Sequence, residues 1–166
     1  MIRLGSISLS ITDLRRLRVS HNFTLEEFLR TSYDVDGDPS TDYFEDNTAT
    51  PEAFVCMGVL AQIHLERIRK QWGPLLITSG YRSPPLNAML GGVDDSAHVY
   101  GCAADIKPLA EGVTVERVWK WLAESDLPYD QAIWEVSRKG NQWLHYGIAR
   151  PGHGAPRRML FKLDMR

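Results

Sequence analysis

Two histidines and one aspartate stand at spacings that could form a metal site. His98 and Asp105 are seven residues apart in the segment SAHVYGCAAD, and His145 follows Asp105 after a further forty residues. Two imidazoles and one carboxylate suit zinc, and three protein ligands leave a fourth coordination position open, as catalytic zinc sites do. If the three side chains converge, they predict one zinc ion per chain and a hydrolytic function.

The residues between His98 and Asp105 indicate a tight turn that enters a buried strand. Gly101 permits the turn, and the apolar run at 103–106 is typical of a buried strand. An aspartate in such a strand costs free energy unless it is paired, hydrogen-bonded or bound to a metal. A histidine–aspartate hydrogen bond that fixes the loop is the alternative to a metal site.

Helices are predicted from their caps. The first begins at Thr24, where Glu27 completes a capping box. The second is capped by Thr50 and ends before Gly73, and the third spans residues 114–123. The second helix is expected to bury a stripe of large apolar residues, namely Val55, Val59, Leu60, Ile63 and Ile68.

The strand signals predict a sheet beside these helices. Strands are expected at 75–78, 103–106, 131–136, 142–148 and 159–163. The third and fourth are joined by a hairpin at 137–141, and the last is an edge strand. Residues 34–50 are rich in Asp, Thr, Gly and Pro, which predicts a loop. Together these elements predict an α+β domain with helices packed on a mainly antiparallel sheet.

Length and composition are those of a single globular domain. The chain has 166 residues, 43% of them hydrophobic, and its net charge of −2 gives no sign of a nucleic-acid partner. Its two cysteines, Cys56 and Cys102, provide no disulfide framework and are expected as buried free thiols. No membrane span and no signal peptide are visible, so we expect the protein to be cytoplasmic as synthesised.

Four segments together resemble a known enzyme family. They occur in the order SHNFTLEEF at 20–28, SGYRS at 79–83, SAHVYGCAAD at 96–105 and QWLH at 142–145. The combination is similar to the zinc D-Ala-D-Ala carboxypeptidase and L-alanyl-D-glutamate endopeptidase family, especially its short, phage-like subgroup. The resemblance implies the fold shared with the Hedgehog signalling domain. We expect a single zinc peptidase-like domain at 20–166, after an N-terminal extension at 1–19.

The resemblance implies roles for residues of these segments. His98, Asp105 and His145 are the implied zinc ligands. Arg82 of SGYRS would stabilise the negative charge that builds on the carbonyl oxygen of a peptide bond under attack by water, with a salt bridge that fixes the turn as the alternative. Ser96 would contact the substrate, with a loop cap as the alternative.

The general base departs from the usual pattern of the family. Typical members carry an acid three residues before the last ligand, where this chain has Gln142, and an amide cannot take up the proton. In the short subgroup the acid ends an Asp-Gln-x-Ile-x-Glu strand, which matches residues 130–135 and points to Glu135. A charge on an exposed strand is the alternative for this glutamate. Trp143 is either a core residue or a wall for the substrate.

The resemblance implies that the chain is a zinc metallopeptidase that hydrolyses a peptide bond in the stem peptides of peptidoglycan. Both the carboxypeptidase and the endopeptidase types remain open. A phage or prophage endolysin, released without a signal peptide, would reach such a substrate. Because the usual acid is missing at Gln142, a non-catalytic zinc domain that binds cell-wall fragments or a partner protein is the alternative. A structural component of a virion is a third interpretation.

Overall fold

Two sheets carry the strands in the described part of the chain. The computed structural model describes residues 2–4, 7–9, 13, 16–31 and 47–166. Strands β1 (Ile2–Leu4) and β2 (Ile7–Leu9) form a short antiparallel hairpin. The larger sheet consists of β3 (Leu75–Ser79), β4 (Ala103–Pro108), β5 (Tyr129–Val136), β6 (Gln142–Ile148) and β7 (Met159–Asp164).

The larger sheet is mainly antiparallel, as the sequence predicts. Its order is β3-β4-β6-β5-β7, in which β7 runs parallel to β5 and the other neighbours are antiparallel. The predicted hairpin is closed by the Ser137 N–H, which donates to the Asn141 carbonyl at 2.8 Å. The predicted loop at 34–50 lies outside the described residues except for 47–50, which form neither helix nor strand.

Helix caps lie where the sequence places them. The Thr24 N–H donates to the Glu27 carboxylate at 2.8 Å, and the hydroxyls of Thr50 and Thr114 accept from first-turn N–H groups. None of the helices in the described ranges is long and apolar enough to cross a membrane. The helical segments are α1 (Leu25–Leu29), α2 (Pro51–Val59), a π-helix (Leu60–Leu65), α3 (Glu66–Trp72), α4 (Pro84–Met89), which was not predicted, and α5 (Val115–Glu124).

The predicted buried stripe of the second helix is partly wrong. Leu60 and Ile68 are buried, whereas Val55 and Ile63 are 60% and 52% exposed. The buried face also includes small residues such as Ala53, because this part of α2 lies against the turn before β4. A Cβ added at Gly101 would lie 2.3 Å from the Ala53 carbonyl oxygen. Close packing of backbones therefore helps to decide which face is buried, and that face also carries the large side chains of Met57 and Leu65.

The two faces of the larger sheet have different roles. One, the helix face, carries apolar side chains that join the core, among them Ala104, Ile106, Ala132, Leu144 and Tyr146. Strand alternation places the odd-numbered neighbours on the opposite face, which we call the site face. Its residues in β4, β5 and β6 include Asp105, Ile133, Glu135, Trp143 and His145.

A buried histidine that packs against the helix face makes the free energy of unfolding depend on pH. His64 Nδ1 lies 2.8 Å from the Tyr146 hydroxyl, and burial, with a smaller effect from the charge of Arg67, lowers the pKa of His64 from 6.5 to about 4. Between these two values the unfolded chain binds a proton that the folded chain does not. The free energy of unfolding should therefore fall by about 2–3 kcal/mol as the pH drops from about 6.5 to about 4.

Urea unfolding at several pH values, for wild type and His64→Gln, measures this contribution. We expect the wild type to lose more stability than the variant across the window, because glutamine does not titrate. Parallel curves for the two proteins would show that His64 is protonated equally in the folded and unfolded states.

Candidate metal centre

Adjacent strands bring the three predicted ligands together. Asp105 of β4 and His145 of β6 are direct cross-strand partners, so their side chains lie side by side on the site face. His98 comes from the turn before β4. That turn is closed by the Cys102 N–H, which donates to the Ala97 carbonyl at 2.9 Å, and it passes through Gly101 at a φ of 69°. A left-handed conformation of this kind favours glycine.

The three donor atoms form a nearly equilateral triangle. His98 Nε2 lies 3.1 Å from His145 Nδ1, and Asp105 Oδ1 lies 3.3 Å from the first nitrogen and 3.1 Å from the second. Donors of a tetrahedral zinc site, with bonds of about 2.0–2.1 Å, are about 3.3 Å apart. All three residues are buried, and within the described residues they form the group that could hold a metal ion. The spacing therefore fits one face of a zinc tetrahedron.

Hydrogen bonds behind the ligands fix their orientation. His98 Nδ1 donates to the Gly80 carbonyl at 2.6 Å, which leaves the lone pair of Nε2 directed at the other two donors. Arg82 Nη2 donates to Asp105 Oδ2 at 2.7 Å, so that Oδ1 faces the histidines. Arg82 Nε also donates to the Ser79 hydroxyl at 2.9 Å, which anchors the guanidinium to the end of β3.

The protonation states suit a metal. Burial alone would raise the pKa of Asp105, but the charges and hydrogen bonds of His98 and His145 hold it well below its usual range. Burial lowers the pKa of His98, against the opposing effect of Asp105. At neutral pH the centre therefore offers an ionised carboxylate and a neutral imidazole, the forms that bind a metal.

Glu135 shares the site face with the ligands, and Gln142 does not. Glu135 pairs with Trp143, two residues from His145 along β6, and it is half-buried. Burial raises the pKa of Glu135, the charge of Asp105 adds to this rise, and the charges of His145 and Arg82 oppose it. Gln142 lies on the helix face, where its side-chain oxygen accepts a 2.9 Å hydrogen bond from Trp134 Nε1.

A groove adjoins the centre on its β3–β4 side. It has a volume of about 290 Å³, and its walls include Arg82, Asp105 and Trp143. Two further residues of its wall, Lys107 and Asn141, were not predicted, although Lys107 follows Asp105 at the spacing of a strand face. Ser96 is half-buried in the turn that carries His98, and its contact with substrate stays a prediction.

Arg82 is expected to control how tightly zinc binds. An Arg82→Ala variant should bind zinc about 10–100-fold more weakly, because Asp105 loses the partner that orients it. An Arg82→Lys variant should recover little of this affinity, since one ammonium cannot replace a guanidinium that bridges Asp105 and Ser79. Competition against a chelator of known affinity measures the change. Unaltered affinity in Arg82→Ala would show that the ion pair does not hold Asp105 for the metal.

Comparison with known proteins agrees with this geometry. The sequence model of the family described as Peptidase M15 matches residues 21–136. The chain belongs to the peptidase M15 family. Peptidases of this family use zinc, and the buried cluster of this M15 peptidase has the donors for a metal ion. The matched segment contains His98 and Asp105 and ends before β6, so His145 joins the set through its position in the sheet. No curated protein sequence matches the chain significantly.

Proposed function

We propose that this M15 peptidase is zinc-dependent and hydrolyses a peptide bond in the stem peptides of peptidoglycan. The observation that carries the proposal is the convergence of His98, Asp105 and His145, with donor atoms 3.1–3.3 Å apart beside a groove. Family membership supports the peptidase activity. The resemblance of the four sequence segments supports peptidoglycan as the substrate, and it also supports the Hedgehog-like form of the α+β fold.

The metal ligands and Glu135 would have separate roles in peptide hydrolysis. Zinc held by the three ligands would supply a Lewis acid that polarises the scissile carbonyl and activates water. Glu135 would accept the proton of the attacking water and deliver it to the leaving amine. A carboxyl whose pKa is raised by burial suits this exchange, because it holds a proton more readily than an exposed glutamate does.

Arg82 and the aromatic wall would position the substrate. Arg82 borders the groove while it holds Asp105, so its positive charge would stabilise the carbonyl oxygen as that oxygen becomes negative. Trp143 also borders the groove and would pack against the peptide. Ser96, next to His98 in the same turn, would contact the substrate through its hydroxyl.

Digestion of purified peptidoglycan tests this proposal. The zinc-loaded protein is incubated with peptidoglycans of several stem-peptide types, and the soluble products are identified by mass spectrometry. We expect either loss of a terminal alanine or cleavage between alanine and glutamate, both abolished by a chelator and restored by added zinc. No product from any type, with zinc bound, would contradict the peptidase proposal and favour a binding domain.

A further inference from the structure

A lysine that has no carboxylate partner among the described residues borders the groove next to the metal centre. Lys107 lies two residues after Asp105 in β4, and it is half-buried on the same side of the sheet. Within the described residues, no ion pair or hydrogen bond links its ammonium to another group. A lysine that borders a groove and has no counter-ion among the described residues favours an anionic ligand, because its ammonium can form a charge-assisted hydrogen bond with a carboxylate.

The charge balance of the groove supports an anionic ligand. Its one carboxylate among the described wall residues is that of Asp105, which already binds Arg82 at 2.7 Å and faces both histidines of the centre. Among the described wall residues, no further carboxylate is present to balance the positive charge of Lys107. Asn141 adds an amide to the wall, and Trp143 adds an apolar surface.

The site face on the opposite side of the centre is apolar. There the site face continues through Ile133 of β5 to β7, where Phe161 and Leu163 are direct neighbours of Ile133 and Glu135. These two apolar side chains are 39% and 44% exposed. The site face is thus cationic on the β4 side of the ligands and apolar on the β5–β7 side. A peptide lying across the centre would therefore have one end against a cationic surface and the other end against an apolar surface.

We propose that Lys107 is a specificity-determining residue that binds a carboxylate of the substrate in this groove, next to the scissile bond. The inference rests on the proposed peptidase function. The carboxylate would belong to a free chain end or to an acidic residue, and both offer the same group to the ammonium. Trp143 would pack against the apolar part of the residue that carries it.

Two matched pairs of peptides separate these sources. The first pair is N-acetyl-D-alanyl-D-alanine and its C-terminal amide. The second is N-acetyl-L-alanyl-D-glutamate and N-acetyl-L-alanyl-D-isoglutamine, in which an amide replaces the carboxylate beside the scissile bond. For at least one pair, wild type should favour the acid over the amide in kcat/KM by about tenfold to a hundredfold, the scale of a hydrogen bond to a charged group.

Lys107→Met should remove this preference for the acid over the amide, because methionine keeps an apolar stem and loses the charge. The matched control is Lys120→Met on α5, whose ammonium pairs with Glu116 at 2.7 Å on an exposed helix surface and should not affect the preference. If Lys107→Met keeps the full preference for the acid, the proposal is overturned.

Calorimetric binding of the same peptides separates this proposal from the peptidase proposal. The zinc-loaded Glu135→Gln variant is compared with the double variant that also carries Lys107→Met. Tighter binding of one acid than of its amide, lost in the double variant, supports the role of Lys107 even if no peptide is cleaved. Equal binding of acid and amide in both pairs would contradict it, whatever the cleavage assay shows.

Discussion

A His98→Ala variant is expected to lose its zinc ion and, with it, zinc-dependent peptide cleavage. His98 supplies one of the three metal ligands. The hydrogen bond from its Nδ1 to the Gly80 carbonyl holds its Nε2 in place. With alanine at this position, two protein donors remain in a buried pocket whose carboxylate already shares its charge with Arg82. Metal analysis of purified, dialysed protein should give one zinc per chain for wild type and a small fraction of that for the variant.

A second buried histidine provides the control for this experiment. His64 is buried like His98, but it belongs to the π-helix and packs against Tyr146 on the helix face, where the two side chains form a hydrogen bond. His64→Gln should retain stoichiometric zinc even where it changes stability. A His98→Ala protein that keeps a full equivalent of zinc would rule out the proposed centre.

A Glu135→Gln variant is expected to keep zinc and fold but to cleave peptides at least ~10²-fold more slowly, the scale of general acid–base catalysis. The amide has the shape of the carboxylate and cannot carry the proton. Glu135 is the acid of β5 that faces the ligand side of the sheet, in register with Trp143. Release of new amine termini, measured at equal zinc content for wild type and variant, reports the loss. Equal rates would remove Glu135 from the mechanism.

A substitution at Gln142 tests whether strand direction decides the role of the acid. Glutamate at this position would recreate the usual family spacing, yet the side chain projects to the helix face toward Trp134. Adding Gln142→Glu to the Glu135→Gln variant should therefore not restore cleavage. Restored cleavage would mean that β6 rearranges in solution so that the side chain at position 142 reaches the site face.

Much of the centre could be predicted because its determinants are local. Gly101 and the apolar run after it predict a turn into β4, and alternation then fixes the side of Asp105. The short hairpin at 137–141 fixes the register of β5 on β6, so the sequence places Glu135 level with residues 142–144. The structure pairs Glu135 with Trp143. The length of the hairpin turn therefore determines which residues of β5 and β6 lie opposite each other.

Other features depend on packing that no local pattern shows. Val55 and Ile63 have the spacing of a buried stripe but are exposed, because α2 approaches the turn at Gly101 through small residues and continues into a π-helix. The groove beside Asp105 joins residues from β3, β4 and the hairpin. Its lysine could be placed on a face from sequence, but its position in a groove needed the assembled sheet.

Stepwise return of zinc to the metal-free protein tests whether the metal centre is required for cleavage. We expect that the release of new amine termini from peptidoglycan rises in proportion to added zinc and stops rising at one equivalent per chain. The melting temperature should rise over the same range, because zinc binds the folded protein in preference to the unfolded chain. Undiminished amine release from the metal-free protein, or no release at one full equivalent, would contradict this expectation.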